Sequence, residues 1–69
     1  MPLPTTIYAT PALQRLRLDR HLSQPHLAIV AQVSRQTITN LECGKKARPE
    51  TVEKLARALG CTFADLLAS

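Results

Sequence analysis

Arg35, Gln36, Thr39 and Asn40 stand close together in the chain and are followed by Lys45, Lys46 and Arg48. A guanidinium fork presents two parallel donors, and a carboxamide presents a donor beside an acceptor. Those patterns match the major-groove edges of guanine and adenine. The cations that follow suit phosphate, which takes charge without reporting base sequence. Other chemistry is hard to assemble from this chain. It has no acid pair, no Ser/His/Asp set and no glycine-rich phosphate loop, so an enzyme is not expected. Cys43, Cys61, His21 and His26 lack zinc-ligand spacing, so neither a metal nor another cofactor is expected. Both cysteines read as free thiols in a reducing compartment.

The helix that must carry the amides is expected from Arg35 to Cys43, capped by Ser34 and ended at Gly44 in a left-handed position. At about 100° per residue, Ser34, Ile38, Leu41 and Glu42 fall on one side, and Gln36, Thr39, Asn40 and Cys43 on the other. Arg35 projects from the first turn. The outer arc holds no acid, whereas a merely solvated helix mixes Glu and Lys at i, i+4. Ser23 caps a preceding helix with Leu27, Ala28 and Ala31 inward and Pro25 tolerated in its first turn. Only Gln32 and Val33 separate the two, which is the spacing of a helix-turn-helix.

Three further helices are expected around this pair. Thr10-Pro11 reads as an N-cap followed by Pro at the first helical position. That helix runs to about Arg20, with Leu13, Leu16 and Arg17 on one face. Pro49-Glu50 opens a fourth helix, whose Val52, Leu55, Ala56 and Leu59 follow i, i+3, i+4, i+7 before Gly60 stops it. Thr62 and Asp65 form a capping box for a last short helix bearing Phe63, Leu66 and Leu67. Lys45 to Arg48 read as a basic loop. Residues 1–9, with Pro2 and Pro4, read as an arm in which Thr6, Ile7 and Tyr8 form a short extended segment, and residues 10–69 as the domain.

Composition agrees. Sixty-nine residues allow one small core, burying about 60% of the unfolded surface. Hydrophobic residues reach 45% while aromatics are 3%, so the core is aliphatic and packed helices are favoured over a sandwich. The net charge of +4 favours a polyanionic partner. No apolar run is long enough for a membrane span, and the first residues lack the pattern of a signal peptide, so a cytoplasmic location is expected.

From Leu16 to Leu67 the chain resembles the Cro and phage-repressor class of helix-turn-helix regulators, also called xenobiotic-response-element regulators. The residues that carry the resemblance are Leu16-Arg17, Leu22-Ser23-Gln24, Leu27-Ala28, Val33 to Ile38, Leu41 to Lys45, Pro49, Leu55 to Gly60 and Leu66-Leu67. It implies an all-α, five-helix, lambda-repressor-like DNA-binding domain. It also implies base reading by Arg35, Gln36 and Asn40, and backbone contacts from Gln24, Thr37, Thr39, Lys45, Lys46 and Arg48. A homodimer on double-stranded DNA is implied as well, with Thr51, Phe63, Ala64 and Leu67 at its surface. Departures from the family pattern are Gln32 where Gly is frequent in the turn, His21 where Gly often follows the first helix, Pro25 in place of a residue with an amide, and Cys43 before Gly44. His21 is expected at a helix end near the dipole and His26 in an exposed first turn.

Arg17 and Glu42 both fall on core-facing arcs, which implies a partly buried ion pair fixing the third helix against the first; the family has such a pair at matching positions. Leu18, Ile29 and Val30 fall outside the core arcs. The arm with Ile7 and Tyr8 is expected to fold over them, or another subunit to meet them. Two functions remain in view: a transcriptional repressor, and an antitoxin-type module whose surplus apolar surface and residues 1–9 bind a toxin partner while the protein regulates its own operon.

Overall fold

The structure, a computed structural model, describes residues 6–68; residues 1–5, with Pro2 and Pro4 of the expected arm, and Ser69 lie outside the described residues. Five helices make up the fold: α1 (Leu13–Asp19), α2 (Gln24–Ala31), α3 (Arg35–Glu42), α4 (Pro49–Leu59) and α5 (Phe63–Leu67). A small antiparallel ribbon joins β1 (Tyr8–Ala9) to β2 (Lys46–Ala47), with Tyr8 opposite Ala47 and Ala9 opposite Lys46.

Each helix contributes a fully buried side chain to one core: Leu13, Leu27, Ile38, Val52 with Leu55, and Leu66. Burying each removes apolar area worth roughly 1.5–3 kcal/mol from water. The two aromatics stay at the margin, where Tyr8 and Phe63 meet edge to face with centroids 5.0 Å apart. That contact and the ribbon tie the N-terminal segment to α5 and to the stretch after α3.

Local chemistry sets the helix ends. Ser23 Oγ accepts from the His26 N–H and Ser34 Oγ from the Thr37 N–H, so α2 and α3 start at satisfied caps. The reciprocal Thr62–Asp65 capping box starts α5. Gly60, with φ of +67°, closes α4 in the left-handed region, and the Arg20 guanidinium donates to the carbonyl of Leu59. Gly44, at φ +99°, turns the chain out of α3.

Several expectations are corrected. The first helix begins at Leu13, not at Pro11. Thr10 is buried, its carbonyl accepts from the Leu13 N–H, and its hydroxyl has no partner among the described residues. Thr10-Pro11 is thus a turn leading into the helix, because Thr10 continues from a strand that is paired across the molecule. Lys46 and Ala47 are not loop but strand; Ala47 is buried and Lys46 exposed, the alternation a strand imposes. Tyr8 and Ala9, assigned to the arm, are its partners. Ser34 is exposed at its cap rather than turned inward with Ile38 and Leu41. Leu18, Ile29 and Val30 remain exposed, as does Ile7, so the described part of the arm does not cover them; Tyr8 is drawn to Phe63 instead. His21 and Gln32 both adopt left-handed backbone, φ +57° and +59°, at the two positions where the family favours glycine.

Candidate nucleic-acid interface

The short turn at Gln32 and Val33 brings α3 across α2 so that Ile38 and Leu41 enter the core and the other side of α3 stays outside. On that outer side Arg35 and Gln36 are exposed and Asn40 is half-buried. Gln36 Nε2 donates to Asn40 Oδ1 at 2.9 Å, locking the two amides one helical turn apart. The pair keeps Gln36 Oε1 as an acceptor and the Asn40 amide N–H groups as donors. The threonine hydroxyls are engaged on their own side of the molecule. Thr37 Oγ1 lies 2.7 Å from Ser34 Oγ. Thr39 Oγ1 donates to the Arg35 carbonyl at 3.2 Å and approaches Gln24 Oε1 at 3.4 Å.

Beside this face runs an open groove of about 240 Å³ whose walls include Thr37, Asn40, Lys45, Lys46, Arg48 and Thr51. Among the described residues no carboxylate lines it. The backbone explains why the cations converge there. The Lys45 N–H donates to the Asn40 carbonyl and the Gly44 N–H to that of Leu41. This folds the chain back along α3 before β2 pairs with β1. Pro49 then starts α4 at once, so Arg48 and Thr51 share the groove with the end of α3. Thr51, expected at a dimer surface, also lines this groove; it stands four residues before the buried Leu55, on the flank of the apolar stripe of α4.

Beneath the face lies a polar knot. Arg17 Nε donates to Glu42 Oε2 at 2.6 Å and Arg17 Nη2 to Oε1 at 3.1 Å, with side chains 9% and 6% exposed. Arg17 Nη1 also donates to the Leu22 carbonyl at 2.7 Å. Gln24 Nε2 donates to Glu42 Oε1 at 3.0 Å. One carboxylate thus gathers α1, the start of α2 and the end of α3. Gln24, assigned to phosphate, is half-buried with its amide turned to Glu42. Of the residues assigned to a dimer surface, Thr51 lines the cationic groove, Phe63 is half-buried against Tyr8, Ala64 is exposed and Leu67 is half-buried.

Among the described residues no group of His, Cys, Asp and Glu could hold a metal. Among the same residues no helix is long and apolar enough to cross a membrane. Five helices packed with a short-turn pair, an acid-free outer face on the second of them and a cationic groove at its end define a helix-turn-helix DNA-binding regulator of the lambda-repressor-like fold. A family model for the Cro/C1-type HTH DNA-binding domain matches residues 12–68. The chain therefore belongs to that family. A comparison with curated proteins finds no match.

Proposed function

We propose that this chain represses transcription by binding a two-fold operator as a homodimer. Arg35, Gln36 and Asn40 read base edges in the major groove, and Thr37, Thr39, Lys45, Lys46 and Arg48 hold the backbone. The observation that carries this reading is the juxtaposition of the locked Gln36–Asn40 amides with a groove lined by three cations and no acid. Amides in fixed register suit base edges, and cations that make no ion pair among the described residues suit phosphate. Gln24 reaches the backbone only through its remaining polar atoms, because one amide N–H is held by Glu42. Two recognition helices of a dimer would enter successive major grooves about 34 Å apart. Thr51, Phe63, Ala64 and Leu67 are its proposed contact residues, and the cytoplasm its place of action. Selection of bound sites from a random DNA pool tests the reading. Inverted half-sites spaced by one helical turn are expected; recovery of an unpatterned pool would refute it.

A second reading is favoured by one observation, the exposure of Leu18, Ile29 and Val30. In it the protein also binds a toxin-type partner and regulates its own operon. Copurification of a protein partner that Ile29→Asp releases is the test.

A further inference from the structure

Between α2 and α4, apart from the groove described above, lies an open cavity of about 290 Å³ lined by Val30, Ala31, Gln32, Lys54, Arg57 and Ala58. Its walls differ in kind. Val30, Ala31 and Ala58 supply an apolar floor and side. Lys54 and Arg57 supply two exposed cations on successive turns of α4. Glu50 and Glu53 stand four residues before them, the spacing for helical ion pairs. Yet Arg17–Glu42 is the only ion pair within 4.0 Å among the described residues. Lys54 and Arg57 are therefore held in no close ion pair and stand beside Val30, which is 49% exposed.

We infer that the cavity formed by Val30 and Ala58 with Lys54 and Arg57 is a docking site for an acidic protein segment that inserts an apolar side chain flanked by carboxylates. A closed apolar space of roughly 150 Å³ holds a benzene ring, so the volume accommodates a large side chain. Charge complementarity selects the flanks, since two cations and no paired acid reward carboxylates on the incoming chain. DNA is a poorer occupant. Phosphates gain nothing from Val30 and Ile29, and Val30 sits six residues beyond Gln24, about 9 Å along the axis of α2. A second copy of the chain is also poorer, because the exposed Leu18 with neighbouring Asp19 would reach the site head to tail and leave the assembly open-ended. The inference deepens the partner-binding reading by naming the surface and the chemistry of the partner, and it stands apart from the DNA reading.

The test is titration of the isotope-labelled full chain with a short peptide of alternating leucine and glutamate, followed by amide chemical shifts. Saturable shifts at Val30, Gln32, Lys54, Arg57 and Ala58 are expected. The Lys54→Gln, Arg57→Gln double variant should weaken binding at least tenfold. The same variant should keep its thermal transition and bind duplex DNA within about threefold of the original chain. Exposed positions were chosen so that the fold survives, and Val30→Asp provides an independent second variant with the same expected loss. Shifts centred on Lys45, Lys46 and Arg48 would overturn the inference, since the peptide would then be imitating phosphate. Equal binding by a leucine–lysine peptide, a large loss of DNA affinity in the double variant, or self-association through these residues would overturn it as well. Shifts confined to Leu18 and Ile29 would overturn the groove while leaving the partner reading standing; absence of shifts at every exposed apolar residue would sink both.

Discussion

Arg17→Met removes the guanidinium from the knot and leaves the Glu42 carboxylate with the Gln24 amide at 3.0 Å as its remaining side-chain donor. Both charged side chains are more than nine-tenths buried, so water offers little compensation. Breaking one side of such a pair costs about 3–5 kcal/mol. The Leu22 carbonyl also loses its donor, which places the expected loss near the middle of that range. The whole domain has about 3–10 kcal/mol at roughly 0.05–0.15 kcal/mol per residue, so the variant is expected to be marginal or unfolded at room temperature. Urea unfolding is the assay. With a slope near 1 kcal/mol/M for so small a chain, the midpoint should fall by about 4 M. The double variant Arg17→Met, Glu42→Leu should regain most of that stability, because exchanging a buried pair for apolar side chains is often neutral or better. Its affinity for DNA should nevertheless stay low, since Gln24 loses the carboxylate that orients it against α3. A single-variant loss under about 1 kcal/mol would refute the claim that this pair fixes α3. So would a double variant no more stable than the single one.

Gln32→Gly should raise stability by about 0.5–1 kcal/mol, because relief of left-handed strain exceeds the added chain entropy; a lowered thermal midpoint would contradict this. Tyr8→Ala removes the edge-to-face contact with Phe63 and should cost at least 0.5–1.5 kcal/mol beyond its lost area, roughly. Faster hydrogen exchange at β2 should accompany it, and unchanged exchange would show that the ribbon holds without the ring. Asp65 is held below its ordinary value of 3.8, first by the Thr62 N–H, next by the Thr62 hydroxyl, and less by Arg20. A carboxyl depressed on folding stabilises fully above its unfolded value and loses that contribution as pH falls through the folded one. Acid titration of the thermal midpoint should therefore show a decline below about pH 4 that is smaller in Asp65→Asn; identical profiles would contradict the capping role.

The parts of the fold legible in the sequence are those whose signal is local. Val52, Leu55, Ala56 and Leu59 mark α4 by period alone, Gly60 marks its end, and Ser23, Ser34 and Thr62 mark three starts because each cap satisfies an amide only a few residues on. The ribbon was hidden for the opposite reason. Two-residue strands carry no period, Lys46 reads as surface charge, and Ala47 is buried only because Tyr8 arrives from far away in sequence. The same distant pairing moved the start of α1, since Thr10-Pro11 satisfies every local rule for a cap while the strand before it dictates a turn. At the site, the outer arc of α3 was readable from spacing. The inward amide of Gln24 was not, because a carboxamide serves a phosphate and a carboxylate equally well, and only the fold shows that Glu42 lies 3.0 Å away.

The proposed division of labour between base-reading amides and backbone-holding cations is tested most directly by the salt dependence of affinity. The wild-type chain, Gln36→Ala and Lys45→Ala would each be titrated against the selected site and against random duplex over a range of salt. Gln36→Ala should lose about 1–3 kcal/mol on the selected site alone, with the salt slope unchanged. Lys45→Ala should weaken both duplexes alike and lower the slope by about one. Equal losses on both duplexes for the two variants, or a slope that changes with Gln36 and not with Lys45, would contradict the account.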